Sequence, residues 1–219
     1  MGRQRRIRWS LFTFVLGSAL GLIGLLMRGP VPLPNVDIET WAMAVSSESY
    51  FTAQALTLLA YVIPFFGFWA LYDLLAPWER VEKLAFWGFM TAIIGTSLAI
   101  ATLGVFSYVS PYLAEDFMLG DLDAPDMITQ IATGRPAIIN IFGGSLYLLG
   151  TVLLGLAVWR SDLLPKWPGL LIAAHGLSLV FGFMFYPLLL ASWIFLLAGG
   201  LWLFIKIGSE SFNAVEPLP

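Results

Sequence analysis

The chain has 219 residues, 59% of them hydrophobic and 11% charged, with a net charge of -3 and a mean hydropathy of +0.85. A water-soluble fold carries about 25% charged residues, so this chain has too little polar surface to cover itself in water, and its natural solvent is lipid. There is no cysteine, which excludes disulfides, thiolate metal centres, iron–sulfur clusters and a cysteine nucleophile.

A helix rises about 1.5 Å per residue, so crossing a hydrocarbon core of about 30 Å takes about 20 apolar residues. Six such runs predict an all-α, polytopic membrane protein forming one transmembrane domain over residues 1–219. The first is Trp9–Met27, preceded by Arg3, Arg5, Arg6 and Arg8. It resembles a signal peptide in charge and apolarity, but it runs into Met27-Arg28-Gly29-Pro30 with no small-residue cleavage site, so it reads as an uncleaved helix. An outer loop of about residues 28–49 follows. The second run is Tyr50–Leu75 and the third Leu84–Val109. A second outer loop covers about residues 110–135, where Asp123, Pro125 and Gly134 have the spacing of a short capped helix. Met127, Ile128 and Ile131 would share one face of it, suited to lying on the membrane surface. The fourth run is Pro136–Trp159. Trp167–Tyr186 and Leu188–Ile207 are the fifth and sixth, divided at Phe185-Tyr186-Pro187 because proline cannot continue a helix ladder.

Basic residues orient the runs. Arg3, Arg5, Arg6, Arg8, Arg80, Lys83, Arg160, Lys166 and Lys206 fall on one side, and only Arg28 and Arg135 on the other. The positive-inside rule then places both termini in the cytoplasm, and a bacterial inner membrane is the expected location. The outer loops are acidic, with Asp37, Glu39 and Glu48 in the first and Glu115, Asp116, Asp121, Asp123 and Asp126 in the second. The acidic stretch around Asp121–Asp126 lacks the ligand spacing of an EF-hand and reads as a solvated loop.

An internal repeat is suggested by two matched stretches. Leu56–Val62 aligns with Leu146–Val152, and Asp73-Leu74-Leu75-Ala76-Pro77-Trp78 with Asp162-Leu163-Leu164-Pro165-Lys166-Trp167. Gly88, Ala92, Gly95, Ser97 and Leu98 then correspond to Gly169, Ala173, Gly176, Ser178 and Leu179. Two copies of one hairpin, spans two–three and four–five, would form a four-helix core with spans one and six outside or across it. Small-residue pairs at Gly17/Gly21, Gly95/Ala99 and Ser178/Gly182, and Gly143 beside Gly144, suit either close packing within the chain or a homo-oligomer face. Packing within the chain is the simpler reading.

An ionisable residue deep in a membrane is a functional candidate by default, and His175, in span five, is the one histidine of the chain. It stands where the repeat has Ile94. Folding the span four–five hairpin brings Thr151 to its depth, with Tyr147 a turn away. These three residues form a candidate ligand or proton site, against the plainer reading of a neutral imidazole hydrogen-bonded inside the core. No cofactor is predicted. Bis-histidine haem would need a second chain or a methionine, and Met184 is about two and a half turns along the same run. A chlorophyll-type pigment needs only one axial ligand, so the histidine count leaves room for it. Gln54 and Asn140, near the outer ends of spans two and four, could line a shallow outer cavity. Gly143-Gly144-Ser145 and Ala174-His175 carry a faint likeness to rhomboid proteases, but the two helices run oppositely and Leu146 replaces the needed glycine, so no catalytic residue is expected. No Walker, dinucleotide or metalloprotease motif is present, no metal site is expected, and the basic N-terminus reads as a topology signal and phospholipid contact rather than a nucleic-acid site.

The turn Trp159-Arg160-Ser161-Asp162-Leu163-Leu164-Pro165-Lys166-Trp167-Pro168-Gly169, with six spans and long outer loops, resembles an uncharacterised group of small bacterial six-helix membrane proteins. That resemblance implies a topology and no activity. The partners expected are the lipid bilayer, with room for a homo-oligomer or a larger membrane complex. A non-enzymatic scaffold, accessory subunit or small-ligand binder is the first functional expectation. A carrier for a small solute is the second, and a pigment protein or enzyme using His175 the third.

Overall fold

A computed structural model describes residues 2–32, 36–121, 123–182 and 185–209. Met184, weighed above as a haem ligand, lies outside them. All regular secondary structure among the described residues is helical, in the segments α1 (Arg3–Arg28), α2 (Ile38–Val45), α3 (Glu48–Val62), α4 (Phe65–Leu75), α5 (Glu79–Met118), α6 (Ala124–Thr133), α7 (Arg135–Arg160), α8 (Lys166–Gly182) and α9 (Tyr186–Ser209). Segments α3 and α4 are halves of one apolar helix broken at Ile63 and Pro64. Pro64 lacks an N–H for the ladder, and its ring lies against Gly17 of α1.

Among the described residues five helices are long and apolar enough to cross a membrane: α1, α3 with α4, α5, α7 and α9. The remaining predicted run is α8, with 17 residues. The division between the last two runs falls where Pro187 predicted it, with the proline in the first turn of α9, where its missing N–H costs nothing.

Polar contacts gather four chain segments at one end of the bundle. Arg3 donates to the Asp73 carbonyl at 2.6 Å and pairs with its carboxylate at 3.4 Å. Gln4 donates to the Ile207 carbonyl at 3.3 Å, and Arg80 pairs with Asp162 at 3.1 Å. The start of α1, the end of α4 and the end of α9 thus lie together, and the α4–α5 turn meets the α7–α8 turn. We call this the basic end. Asp73 and Asp162, matched in the repeat alignment, thus both serve in ion pairs at this end.

Helix α7 is gripped from two sides by small residues. A methyl group added at Gly95 would overlap the Tyr147 amide and one at Gly150 would overlap Ala92, so α5 and α7 touch backbone to backbone. On the other flank, Gly155 faces Gly169 across α8, and Gly176 faces Thr151. The stripes Gly88–Ala92–Gly95 and Gly169–Ala173–Gly176, matched in the sequence, therefore both serve α7. In a duplicated hairpin, α5 would instead turn its stripe toward α3 and α4. The four-helix core expected from the repeat is also too narrow. Phe14 and Leu25 of α1 and Trp193, Leu196 and Leu203 of α9 are buried in the same apolar core as Leu154 and Ile172. Helices α1, α3–α4, α5, α7, α8 and α9 pack in that order around it, and α9 closes back on α1. Gly17, Gly21 and Gly182, candidates for a dimer face, are spent against Pro64, Trp193 and Leu189 of the same chain.

The opposite, acidic end differs most from the sequence expectation. Helix α5 has 40 residues, about 60 Å, and continues through Pro111 well past the predicted end of the run. Its extension carries Leu113, Ala114 and Phe117 at helical spacing, and these pack with Trp41, Ala42 and Val45 of α2 and Ala124 and Ile128 of α6 in a second apolar core. Helix α6 is the predicted short helix, stopped at Gly134, but Ile128 is 1% exposed and packs on protein, whereas Met127 is 52% exposed. The shared membrane-facing stripe is thereby corrected. The Asp123 side chain does not cap α6, and Asp121 instead accepts from the Asp123 amide at 2.9 Å. In α2 the Thr40 amide donates to the Asp37 carboxylate at 3.0 Å and holds its pKa below the usual carboxylate value. A depressed carboxylate pKa means that this cap is complete above the usual carboxylate range and is lost as pH falls through the lowered value.

The α5–α7 contact makes a direct prediction. Gly95→Ala or Gly150→Ala should destabilise the purified protein by about 1–3 kcal/mol through overpacking. Gly104→Ala, whose added methyl meets nothing within 4 Å, should be neutral or mildly stabilising. Thermal melts in detergent that rank the three variants equally would contradict this packing.

Candidate functional site

The polar centre of the bundle is built on α7, α8 and α9. Close approach at Gly176 brings α8 onto α7, so that His175 reaches Tyr147, with the Tyr147 hydroxyl 2.7 Å from the His175 Nε2. On the other side of the ring, Nδ1 lies 2.8 Å from the backbone carbonyl of Ser192 in α9. A carbonyl can only accept, so Nδ1 carries a proton. In the neutral ring Nε2 is then the acceptor, and the Tyr147 hydroxyl donates to it. Both ring nitrogens are engaged, and the residue is 0% exposed. The imidazole is flanked by Tyr147 and Trp193, with ring centroids 5.8 and 5.4 Å away, and Trp193 in turn meets Tyr61 of α3 edge-on at 5.4 Å.

Of the residues singled out in the sequence, Tyr147 and His175 are brought into direct contact. Thr151 is near, but its hydroxyl donates to the Leu148 carbonyl at 3.0 Å in its own helix and packs against Gly176. Gln54 is buried and donates to the Tyr50 hydroxyl at 2.8 Å. Asn140 lies half-buried near the start of α7, and no hydrogen bond joins it to Gln54 among the described residues. Ser192, Trp193, Tyr61 and Tyr50 were missed. The signal for the last two was present, since Tyr50, Gln54, Thr57 and Tyr61 recur at the spacing of one helix face and all four are buried.

Burial separates the two halves of the bundle. The buried polar side chains Ser18, Gln54, Thr57, Thr96, Thr102, Ser107, Ser110, Thr151, His175, Ser178 and Ser192 lie at the depth of His175 or toward the acidic end. Toward the basic end the buried side chains are apolar, including Leu11, Phe14, Phe68, Leu71, Leu75, Leu154 and Leu203, until Ser161 in the α7–α8 turn. Residues 12–209, nearly all of this bundle, match the family model of a domain of unknown function, DUF4386. The chain belongs to the DUF4386 family. No curated protein and no solved structure matches it. For this DUF4386 chain the residues present do not offer an open axial position for haem or a chlorophyll-type pigment, because Nε2 would have to exchange the Tyr147 hydroxyl for the metal. Among the described residues no group of three or more histidine or acidic side chains is placed to hold a metal ion.

A buried hydrogen-bond chain is costly to interrupt on one side only. Tyr147→Phe leaves Nε2 without a donor, and His175→Leu strands the Tyr147 hydroxyl and removes the second donor from the Ser192 carbonyl. Each should cost about 1–3 kcal/mol. The double variant should cost less than the sum of the two, and additive losses in thermal unfolding would show that the pair is not coupled.

Proposed function

We propose that this DUF4386 protein is a non-catalytic binding protein of the cytoplasmic membrane, with six crossings, both termini in the cytoplasm and its polar half open toward the outer face. The sixth crossing is supported by chain geometry. Helix α7 ends and α9 ends at the basic end, so α8 has to carry the chain back to the acidic end. Its 17 residues suffice for a span of minimal length. The orientation is supported by the nine basic residues at one end.

The observation that carries the functional reading is the one-sided distribution of buried polar groups. A carrier needs a polar route on each side of its central site in turn, and the cytoplasmic half is packed with leucine and phenylalanine. An enzyme or pigment protein using His175 needs a free nitrogen, and both nitrogens are engaged. What remains is a bundle, tied at its centre by Tyr147, His175 and Ser192, that buries Tyr50 and Gln54 in its outer half and presents the helical cap of α2, α5 and α6 to the outside. Thr151 supports the His175 turn in this reading, and Asn140 lies on the outer part of α7, where it can contribute to the rim.

The absence of native cysteine makes labelling clean. In intact cells, a membrane-impermeant thiol reagent should modify Ser46→Cys and Asp126→Cys but not Gly2→Cys or Ser209→Cys. In inverted vesicles Leu71→Cys and Leu203→Cys should stay unmodified, and the purified protein should be colourless. Modification of Ser209→Cys from outside would remove the sixth crossing. Modification of Leu71→Cys or Leu203→Cys would favour a carrier, and a visible absorption band would return the function to His175.

A further inference from the structure

The last turn of α1 holds a cation in an unusual position. Arg28 is one of two basic residues at the acidic end, where the charge bias of the chain disfavours them. Its Nε is buried and has no hydrogen-bond partner; at the basic end Arg8 Nε and Asp73 Oδ2 are likewise buried without one, but the Arg8 guanidinium lies over the Phe204 ring, 4.5 Å from its centroid, and Asp73 pairs through its other oxygen with Arg3. Eight exposed carboxylates stand at this end, yet among the described residues none is within ion-pair distance of Arg28. A helix C-terminus favours a nearby cation, but that effect needs only an exposed guanidinium. It gives no reason to bury a donor with nothing to donate to, which is unfavourable unless a ligand completes it.

The surroundings are polar and preformed. Gly24, one turn earlier, brings α1 against α3, since an added methyl would lie 2.7 Å from both the Ala53 carbonyl and the Thr57 hydroxyl. Helical spacing carries Arg28 one turn past Gly24, toward the start of α3, where the Tyr50 hydroxyl accepts from Gln54 at 2.8 Å, and α5, which carries Ser110, packs on α3. Tyr50, Gln54 and Ser110 are each 5% exposed or less. The Arg28 turn is itself fixed, because the Leu25 carbonyl accepts from both the Gly29 amide at 2.9 Å and the Tyr186 hydroxyl at 2.7 Å. On the lipid side, Ile23, Leu26 and Met27 of α1 and Phe51 of α3 are exposed and apolar.

We propose that Arg28, with Tyr50, Gln54 and Ser110, binds an anionic oxygen group, a phosphate or carboxylate, at the outer interface between α1, α3 and α5. Arg28 supplies the charge-assisted hydrogen bonds, and the hydroxyl and amide groups orient the head. The exposed apolar residues beside it suit a ligand with an acyl tail, and a free small anion shares the same head chemistry. This deepens the outward-facing reading above. The test below is carried out in detergent and is blind to orientation, so its failure and a failure of the labelling experiment are separable.

The full-length protein in a non-ionic detergent is titrated with phosphatidylglycerol, oleate, inorganic phosphate and, as the neutral comparison, phosphatidylcholine. Binding is read by thermal stabilisation and native mass spectrometry. At least one anionic probe should bind in preference to phosphatidylcholine. Stabilisation by phosphatidylglycerol or oleate alone assigns a membrane amphiphile, and stabilisation by inorganic phosphate assigns a soluble anion. Arg28→Gln should weaken that binding about tenfold or more, Arg28→Lys should retain part of it, and Gln54→Leu should weaken it less. Without ligand, Arg28→Gln should melt at or above the wild-type temperature, because it removes a buried donor that lacks a partner. Equal binding by phosphatidylcholine, no binding by any anionic probe, unchanged binding in Arg28→Gln, or a lower ligand-free melting temperature in that variant would each overturn the proposal.

Discussion

Everything at the centre of this bundle depends on how closely α5 and α8 approach α7. In lipid the hydrophobic effect does not drive helices together, so close van der Waals contact and interhelical hydrogen bonds must do so. Glycines at 95, 150, 155 and 169 bring backbone against backbone, and Gly176 leaves room for the Thr151 side chain. The consequence is geometric. Only with α8 seated against Thr151 can the His175 ring lie between the Tyr147 hydroxyl and the Ser192 carbonyl. Packing sets the polar contact, and the polar contact then ties α7, α8 and α9 together.

Lipid also dictates where polar groups lie along the bundle. A buried hydroxyl or amide must find a partner, and most here bond to a carbonyl one turn back in their own helix, as Ser18, Thr57, Thr96 and Ser107 do. These groups can be accommodated anywhere in a helix. Their concentration in the half between His175 and the acidic end, with Ser161 in the α7–α8 turn as the exception, is therefore not forced by the fold. Together with Arg28 it gives the bundle a polar side and a dry side. The dry side is sealed by aromatic and aliphatic contacts such as Phe14 against Phe68, with ring centroids 5.0 Å apart. The exposed ion pairs at the basic end fasten the turns and contribute little energy on their own.

Much of the fold was legible because membrane helices must be long, apolar and punctuated. The runs, the break before Pro187 and the stop at Gly134 follow from those rules. The misses have physical causes. Pro64 breaks span two within an unbroken apolar run, so hydropathy gave no sign of it. Past Val109 the sequence turns polar, but Leu113, Ala114 and Phe117 keep a helical face, and tertiary contact with α2 and α6 carries α5 onward through Pro111. The matched glycine stripes were visible, but which helix they face is a property of packing. At the candidate site, His175 and Tyr147 were found from depth and hairpin geometry. The Ser192 partner was not, because a backbone carbonyl has no sequence signature.

The central claim is that the single histidine is a neutral, doubly bonded tie rather than a reactive group. Nitrogen-15 NMR of protein labelled at histidine reads it without ambiguity, since both ring-nitrogen signals come from His175. The account predicts a neutral imidazole at pH 7 protonated on Nδ1, with Nε2 showing the shift of a hydrogen-bonded acceptor. A ring protonated on Nε2 alone, or one that is charged at pH 7, would contradict it.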